Sequence, residues 1–243
     1  MRTAVLADIH ANLAALEAIL AEIRTEEISD IVTLGDNIGY GPDPEKVTQE
    51  LIRLGVTSIQ GNHEYALWNP DYYFKMNPDA KKSLDITRAM LSEESLAYAF
   101  GLKTVIIHNG ARLVHGCPPR SQTIYLFSPS NKMLDKLFKS FPEQICFYGH
   151  THTINFFAEG KDALLGQNIT SATMHLEKGR KYLINPGSVG QPRDGRNNHA
   201  KYLIWDKEQG RVTFRDVQYD VMKTVNKLRM LDFPAFNSTR LLR

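Results

Sequence analysis

The stretch Gly61-Asn62-His63-Glu64 follows the β-rich run Val56-Thr57-Ser58-Ile59-Gln60, so it stands where a strand ends and the backbone turns at a glycine. Asn62 and His63 sit side by side at that turn, two side chains suited to metal binding or acid–base work. Gly-Asn pairs mark ordinary turns, so this one gains weight only from company. Five other apolar runs end the same way: at Asp8 and His10, at Asp36, at His115, at His150 and His152, and at Asn185.

Working outward, Thr3–Ala7 is a short strand, and Asn12 caps a helix with Leu13, Leu16, Ile19, Leu20 and Ile23 at helical spacing. Ile31–Leu34 is the next strand, stopped by Gly35-Asp36. A glycine-rich loop leads to a helix from Glu45 with Val47, Leu51 and Leu54 on one face. This β-α-β-α-β alternation predicts parallel strands joined by crossover helices. Helices are expected from Tyr65 to Gly101. A hairpin through Asn109-Gly110 should join 103–108 to 111–115, and a helix should cover 130–139. Strands are expected at 145–148, 154–158, 181–184, 200–205 and 211–217. A last helix carries Val221, Val225 and Leu228 toward an arginine-containing tail. No repeat or linker interrupts the pattern, so 1–243 reads as a single domain.

The 243 residues suffice for a sizeable core, and 42% hydrophobic with 23% charged residues is the composition of a globular protein. A formal charge of +2 argues against a strongly basic nucleic-acid-binding surface. Cys117 and Cys146 form no framework and no Cys-x-x-Cys site. No run approaches the ~20 apolar residues of a membrane span, and no secretory leader is evident. A cytoplasmic protein without a membrane partner is expected; oligomeric state is left open.

In open α/β sheets, ligands bind beyond the carboxyl ends of the strands. Five of the eight histidines fall at such ends, which a scattered distribution would not produce. Imidazole with carboxylate and no thiolate suits Mn, Fe, Zn, Ni or Co. Two such ions ~3.5–4 Å apart can clamp the attacking and leaving oxygens of an in-line displacement at phosphorus. Between them a water becomes hydroxide near neutral pH. The chemistry expected is phosphate-ester hydrolysis with two divalent metals, Mn2+ favoured.

Asp8-x-His10, Gly35-Asp36, Gly61-Asn62-His63-Glu64, His115 and Gly149-His150-x-His152 resemble the metal motif series of the calcineurin-like metallophosphoesterases, in order. Asn185-Pro186-Gly187-Ser188 resembles a further family segment. The loop Gly39-Tyr40-Gly41-Pro42-Asp43-Pro44 resembles the bacterial diadenosine-tetraphosphatase-like branch. The resemblance implies a four-layer αββα sandwich of two mixed sheets, with the metal site at the carboxyl ends of the strands. It implies one metal held by Asp8, His10, Asp36 and His152, and a second held by Asn62, His115 and His150 with Asp36 bridging. His63 would protonate or stabilise the leaving oxygen.

The protein-phosphatase branch carries Gly-Asp-x-x-Asp-Arg-Gly, whereas this chain has Gly35-Asp36-Asn37-Ile38-Gly39-Tyr40-Gly41. The acid that would orient His63 and the arginine that would grip phosphate are both missing. Arg120, Arg193 or Arg196 could supply the guanidinium, the natural bidentate partner of phosphate. A phosphodiester or nucleotide-type substrate is therefore favoured over a phosphomonoester or phosphoprotein. A non-catalytic metal-binding scaffold is the alternative from another class. The blander readings make Glu64 a helix N-terminal acid, Asn185 a turn residue and Cys117 a small buried side chain. Trp68, Tyr72, Tyr73 and Phe74 form either a packed lid or a surface for a nucleobase.

Overall fold

The structure, a computed structural model, describes residues 1–160, 164–165, 172–195 and 197–242. The first half builds a parallel unit from β1 (Arg2–Leu6), α1 (Leu13–Thr25), β2 (Asp30–Thr33), α2 (Pro44–Arg53) and β3 (Thr57–Ser58). β1 pairs with β2, and β2 with β3, both in parallel. The Asn12 side chain accepts from the Ala15 amide and so starts α1 as its N-cap. Four helices follow: α3 (Asn62–Ala66), α4 (Pro70–Tyr73), α5 (Pro78–Met90) and α6 (Glu93–Gly101).

The second half begins with the hairpin of β4 (Val105–His108) and β5 (Ala111–Val114), then α7 (Asn131–Lys139). β6 (Ile145–Phe147), β7 (Ile154–Ala158), β8 (Leu164–Leu165), β9 (Thr173–His175) and β10 (Tyr182–Pro186) come next. β11 (Ala200–Asp206), β12 (Arg211–Val217), α8 (Val221–Met230) and α9 (Ala235–Leu241) complete the order. One sheet runs β3-β2-β1-β11-β12-β9 and the other β4-β5-β6-β10-β7-β8. Both mix parallel and antiparallel pairs: β11 runs antiparallel to β1, while β5, β6 and β10 are parallel neighbours.

Each central strand is apolar on both faces because each face has a different partner, and this explains why the runs read as continuous rather than alternating. Val5, Leu203 and Trp205 of the first sheet meet Phe147, Tyr182 and Ile184 of the second in the inter-sheet core. Phe147 and Trp205 cross that interface edge to face at 5.5 Å. The alternate residues Ala4, Leu6, Tyr202 and Ile204 turn outward onto α1 and α2. On the far side, Val114, Cys146 and Leu183 pack against Leu134, Leu137 and Phe138 of α7. The result is the helix–sheet–sheet–helix sandwich with two mixed sheets.

Three elements lacked a signal in the sequence, and the first, β8, is two residues paired with β7. The edge strand β9 is three residues long and held by its register with β12 rather than by any period of its own. The tail beyond 230 folds as α9, because Phe233 and Leu241 bury against Val225 and Leu228 of α8. Among the described residues no helix is long and apolar enough to cross a membrane.

Leu203 is fully buried in the inter-sheet core. Leu203→Ala should cost about 3 kcal/mol of unfolding free energy, read as a lower denaturant midpoint with an unchanged slope. A change within experimental error would mean that the two sheets do not form the cooperative core.

Candidate functional site

The parallel strands β1, β2 and β3 of one sheet and β5 and β6 of the other end at the same edge of the sandwich. Their following turns interlock through backbone hydrogen bonds. Asp8 N–H donates to the Gly35 carbonyl, His10 N–H to Asp36, Ala11 N–H to Asn37, and Gly149 N–H to His115. The His150 amide donates to the Asp8 carboxylate, which ties the second sheet's turn to the first. Gly35 has φ +86°, and a Cβ there would lie 2.4 Å from the Gly61 nitrogen, so the turns after β2 and β3 press backbone on backbone. Asp8, His10, Asp36, His150 and His152 all hold positive φ. Non-glycine residues pay for that conformation with local strain, and such strain clusters at functional sites.

These turns converge Asp8, His10, Asp36, Asn62, His63, His115, His150 and His152, each nearly or fully buried. Three overlapping groups have ligand atoms within 4.8 Å of one another: Asp8–His10–His152, His10–Asp36–His63 and Asp36–His115–His150. The hydrogen positions on the imidazoles can be read from their outer partners. His10 Nδ1 lies 3.0 Å from the Ile38 carbonyl and His152 Nδ1 2.7 Å from the Gln191 carbonyl. A carbonyl only accepts, so both Nδ1 atoms carry the hydrogen. Their Nε2 atoms are then bare lone pairs, and they face each other at 3.1 Å.

A second pair repeats the arrangement. His115 Nδ1 donates to the Leu34 carbonyl at 2.7 Å, and His150 Nε2 to the Thr123 carbonyl at 3.3 Å. His115 Nε2 and His150 Nδ1 meet at 3.1 Å, with the Asn62 Oδ1 also 3.1 Å from His115 Nε2. Asp36 Oδ2 stands between the pairs, 3.7 Å from His10 Nε2 and 3.3 Å from His115 Nε2. Lone pairs opposed at this distance repel unless a cation or a proton lies between them. Imidazole, carboxylate and amide oxygen are ligands for divalent ions, and outer carbonyls that fix the tautomer are their usual support. The donor set therefore fits two cations sharing one carboxylate.

Electrostatics follow the same division. Burial drives His10 and His152 well below the usual imidazole range and His150 down to about 3. His115 behaves oppositely: burial acts downward, but the charge and hydrogen bond of Asp36, with Asp8, carry it up to about 9. For Asp36, burial acts upward, but His115, His63 and His10 hold it well below the carboxylate range. Burial, reinforced by Asp36, pushes Asp8 up to about 7. His115 is thus the imidazole on which a proton competes with a cation.

His63 sits beside this set with its amide donating to Asp36 Oδ1 at 2.8 Å. Its Nδ1 is buried without a partner. A Cβ on Gly39 would lie 2.1 Å from that atom, so the glycine brings bare backbone where an orienting acid would need space. Burial lowers the His63 pKa, with Asp36 opposing. Tyr40 closes over the imidazoles, its ring 4.6 Å from His63 and 4.8 Å from His10.

Of the three arginines raised from the sequence, Arg193 reaches the site. Its guanidinium lies 6.0 Å from the Tyr40 ring centroid and donates to Gln191 Oε1, and its charge bears on Asp8, His10, His63 and His152. Arg120 is exposed on the loop 116–130. Arg196 lies outside the described residues. Asn185 closes a turn by accepting from the Gly187 amide, and Cys117 is a buried thiol. Trp68, Tyr72 and Tyr73 pack against Ile38, Leu67 and Leu84, with Phe74 left exposed.

Glu64 does more than cap α3. Its carboxylate accepts from the amides of Gly61, Asp36 and Asn37 at 2.7–3.0 Å, clasping the turns after β2 and β3 together. Burial, then Asp36, pushes its pKa up to about 7, while the Gly61 and Asn37 amides pull it back. Both oxygens meet N–H donors, an arrangement built for the ionised form. A buried acid three residues after a strand-ending glycine fits a capping box, but nothing in the sequence gave it the reach to a second turn. Gln191, Thr123 and Tyr40 also act only through tertiary proximity.

Comparison with known proteins finds matches in sequence and in fold. Residues 1–210 match the model of the calcineurin-like phosphoesterase superfamily domain. An uncharacterized protein of Methanocaldococcus jannaschii is 31% identical over 242 residues, 98% of this chain and 96% of that protein. A crystal structure of a metallophosphoesterase from Sphaerobacter thermophilus superposes with TM-score 0.87 at 32% identity, covering 100% of this chain and 98% of that one. A hypothetical protein from Pyrococcus horikoshii OT3 has the same fold, with TM-score 0.79 at 20% identity over 99% and 97% of the two chains.

Two measurements probe this assembly. Glu64→Gln turns an amide donor toward backbone donors and should cost about 2 kcal/mol of stability, read by denaturant unfolding. An unaffected midpoint would show the clasp to be idle. Mn2+ added to metal-free protein at pH 7.5 should displace roughly one proton, drawn from the Asp36–His115 pair. Calorimetry in buffers of different ionisation enthalpy reads that proton, and a buffer-independent heat would contradict it.

Proposed function

The chain belongs to the calcineurin-like phosphoesterase superfamily, and we propose that it hydrolyses a phosphodiester or nucleotide-type phosphate ester by in-line displacement at phosphorus. The observation that carries this reading is the two imidazole pairs, each meeting nitrogen to nitrogen at 3.1 Å, that flank Asp36. We assign Asp8, His10, Asp36 and His152 to one divalent ion, and Asp36, Asn62, His115 and His150 to the other. Such ions supply Lewis-acid activation of water and neutralise charge gathering on phosphoryl oxygens. Mn2+ is favoured; Fe, Zn, Ni and Co meet the same ligands.

The remaining work falls to protein groups. Asp36, held below its usual range, remains a carboxylate at any working pH and keeps the two halves of the site together. The carbonyls of Ile38, Gln191, Leu34 and Thr123 lock the four imidazoles in the ligating tautomer. Arg193, braced by Gln191, is placed to pair with a phosphoryl oxygen. It brings one positive charge, which suits the single charge of a diester better than the double charge of a monoester. His63 enters neutral, because burial depresses it, and offers a hydrogen bond to the leaving oxygen rather than a strong acid's proton.

The proposed unit is the whole chain, 1–243, as one domain. Its support is the way the last helices reach the site's own turns. Thr224 of α8 donates to Asn12, and Asn237 of α9 donates to the Tyr40 carbonyl.

Metal-stripped protein should be inert toward bis-p-nitrophenyl phosphate and p-nitrophenyl phosphate, and Mn2+ should restore turnover with the diester preferred. Absence of turnover on both esters with each of Mn2+, Ni2+, Co2+ and Fe2+ would defeat the reading. Asp36→Asn should abolish activity and lower the bound metal measured by elemental analysis. His63→Ala should lower kcat by about 100-fold; near-normal turnover would show that His63 has no share in catalysis.

A further inference from the structure

The four imidazoles around Asp36 are not held equally. The carbonyls that receive the hydrogens of His10, His115 and His152 lie at 3.0, 2.7 and 2.7 Å, whereas the Thr123 carbonyl lies 3.3 Å from His150 Nε2. Two of the nearer carbonyls sit in pinned backbone. Leu34 follows β2 directly with its amide on the Leu6 carbonyl, and the Gln191 amide donates to Ser188 Oγ. Thr123 belongs instead to the loop 116–130 between β5 and α7. A long N–H···O contact orients a ring weakly, so His150 needs a second support.

That support is a stack of rings. Tyr125 covers one face of His150 with centroids 3.7 Å apart and 17° between planes, the shortest ring separation among the described residues. Phe127 backs Tyr125 on its other face at 4.9 Å and 7°. Rotation of His150 about its Cβ–Cγ bond would swing Nδ1 away from His115 Nε2, and it would also drive the imidazole edge into Tyr125. Tyr125 is 45% exposed, so its ring adds little to the core and lies against His150 instead.

The loop that carries the stack touches both imidazoles of this pair. It leaves β5 at Gly116, the neighbour of His115, and folds back over His150. Gly116 N–H donates to the Ser121 carbonyl and Cys117 N–H to the Ile124 carbonyl, both at 2.8 Å. Ser121 Oγ accepts from the amides of Thr123 and Ile124. Leu126, between the two rings, is buried with Cys117 and with Leu134 and Leu137 of α7, which anchors the loop and turns its neighbours the other way.

We propose that Tyr125, backed by Phe127, is a positioning residue that holds His150 in its ligating orientation, so that the ion at Asn62, His115 and His150 depends on the loop 116–130 for its occupancy. This rests on the two-ion phosphoesterase reading and adds an asymmetry to it. The imidazoles of the other ion, His10 and His152, are fixed by nearer carbonyls of the strand-end turns. Removing an outer support of a ligating histidine weakens metal binding by about 10- to 100-fold.

Titration of metal-free protein with Mn2+, followed by electron paramagnetic resonance, counts the free ions and detects the spin-coupled pair formed when both sites fill. Tyr125→Ala should weaken one ion by about tenfold and leave the other unchanged, moving the pair signal to higher Mn2+. Tyr125→Phe keeps the flat ring and should bind as the wild type does. Tyr125→Leu keeps bulk without a ring face and should behave as Tyr125→Ala. Equal weakening of both ions, wild-type binding by Tyr125→Ala or Tyr125→Leu, or loss of an ion in Tyr125→Phe would overturn the proposal. A wild type that never forms the pair would defeat the two-ion reading, and the proposal with it. Hydrolysis of bis-p-nitrophenyl phosphate is measured in parallel. The expected metal behaviour without hydrolysis would sink the phosphoesterase reading and leave the brace on His150 standing.

Discussion

Two pairs of buried imidazole nitrogens face each other at 3.1 Å, one on either side of the Asp36 carboxylate. Everything around them maintains that unfavourable opposition. Backbone carbonyls take the hydrogens on the far sides, left-handed turns aim the rings inward, and the Asp36 carboxylate stands between the pairs. A folded chain holds such a geometry only when surrounding contacts over-determine it. The inter-sheet core provides that rigidity, since each turn begins on a strand buried on both faces.

The second constraint is backbone proximity. Gly35 and Gly61 touch closely enough that any side chain at either would collide, and Glu64 clasps the amides of both turns from below. Because the same α3 carries Asn62, His63 and Glu64, one short helix supplies a proposed ligand, the proposed donor to the leaving oxygen and the latch that registers them. Gly39 extends the logic to reactivity. Its bare backbone fills the space behind His63 Nδ1, so this imidazole is shaped by apolar burial rather than by an acid. With Arg193 as the guanidinium at the site and Tyr40 beneath it, the charge balance is that of a milder site than one with an acid and arginine in the 36–41 loop.

Much of this was legible from the chain. The β-α-β-α-β start, the Asn109-Gly110 hairpin and the polar residues ending each strand come from local chemistry: period, cap and turn. Elements whose stability is borrowed were not legible. β9 exists because β12 offers an edge, and α9 because α8 offers an apolar face. The second sheet's place over the first was carried by family resemblance, since periodicity cannot say which face meets which.

What the residues determined alone was the inventory: five histidines, two aspartates and two asparagines at strand ends, with glycines permitting the turns. Local sequence decides this because strand, turn and cap depend on neighbours within a few positions. What only the tertiary structure decided was relation. It assigned each imidazole its hydrogen, selected Arg193 over Arg120, made Glu64 a clasp between turns, and laid Tyr125 on His150. Those facts join residues far apart in the chain, and such contacts arise from packing two sheets together, which no window of sequence contains.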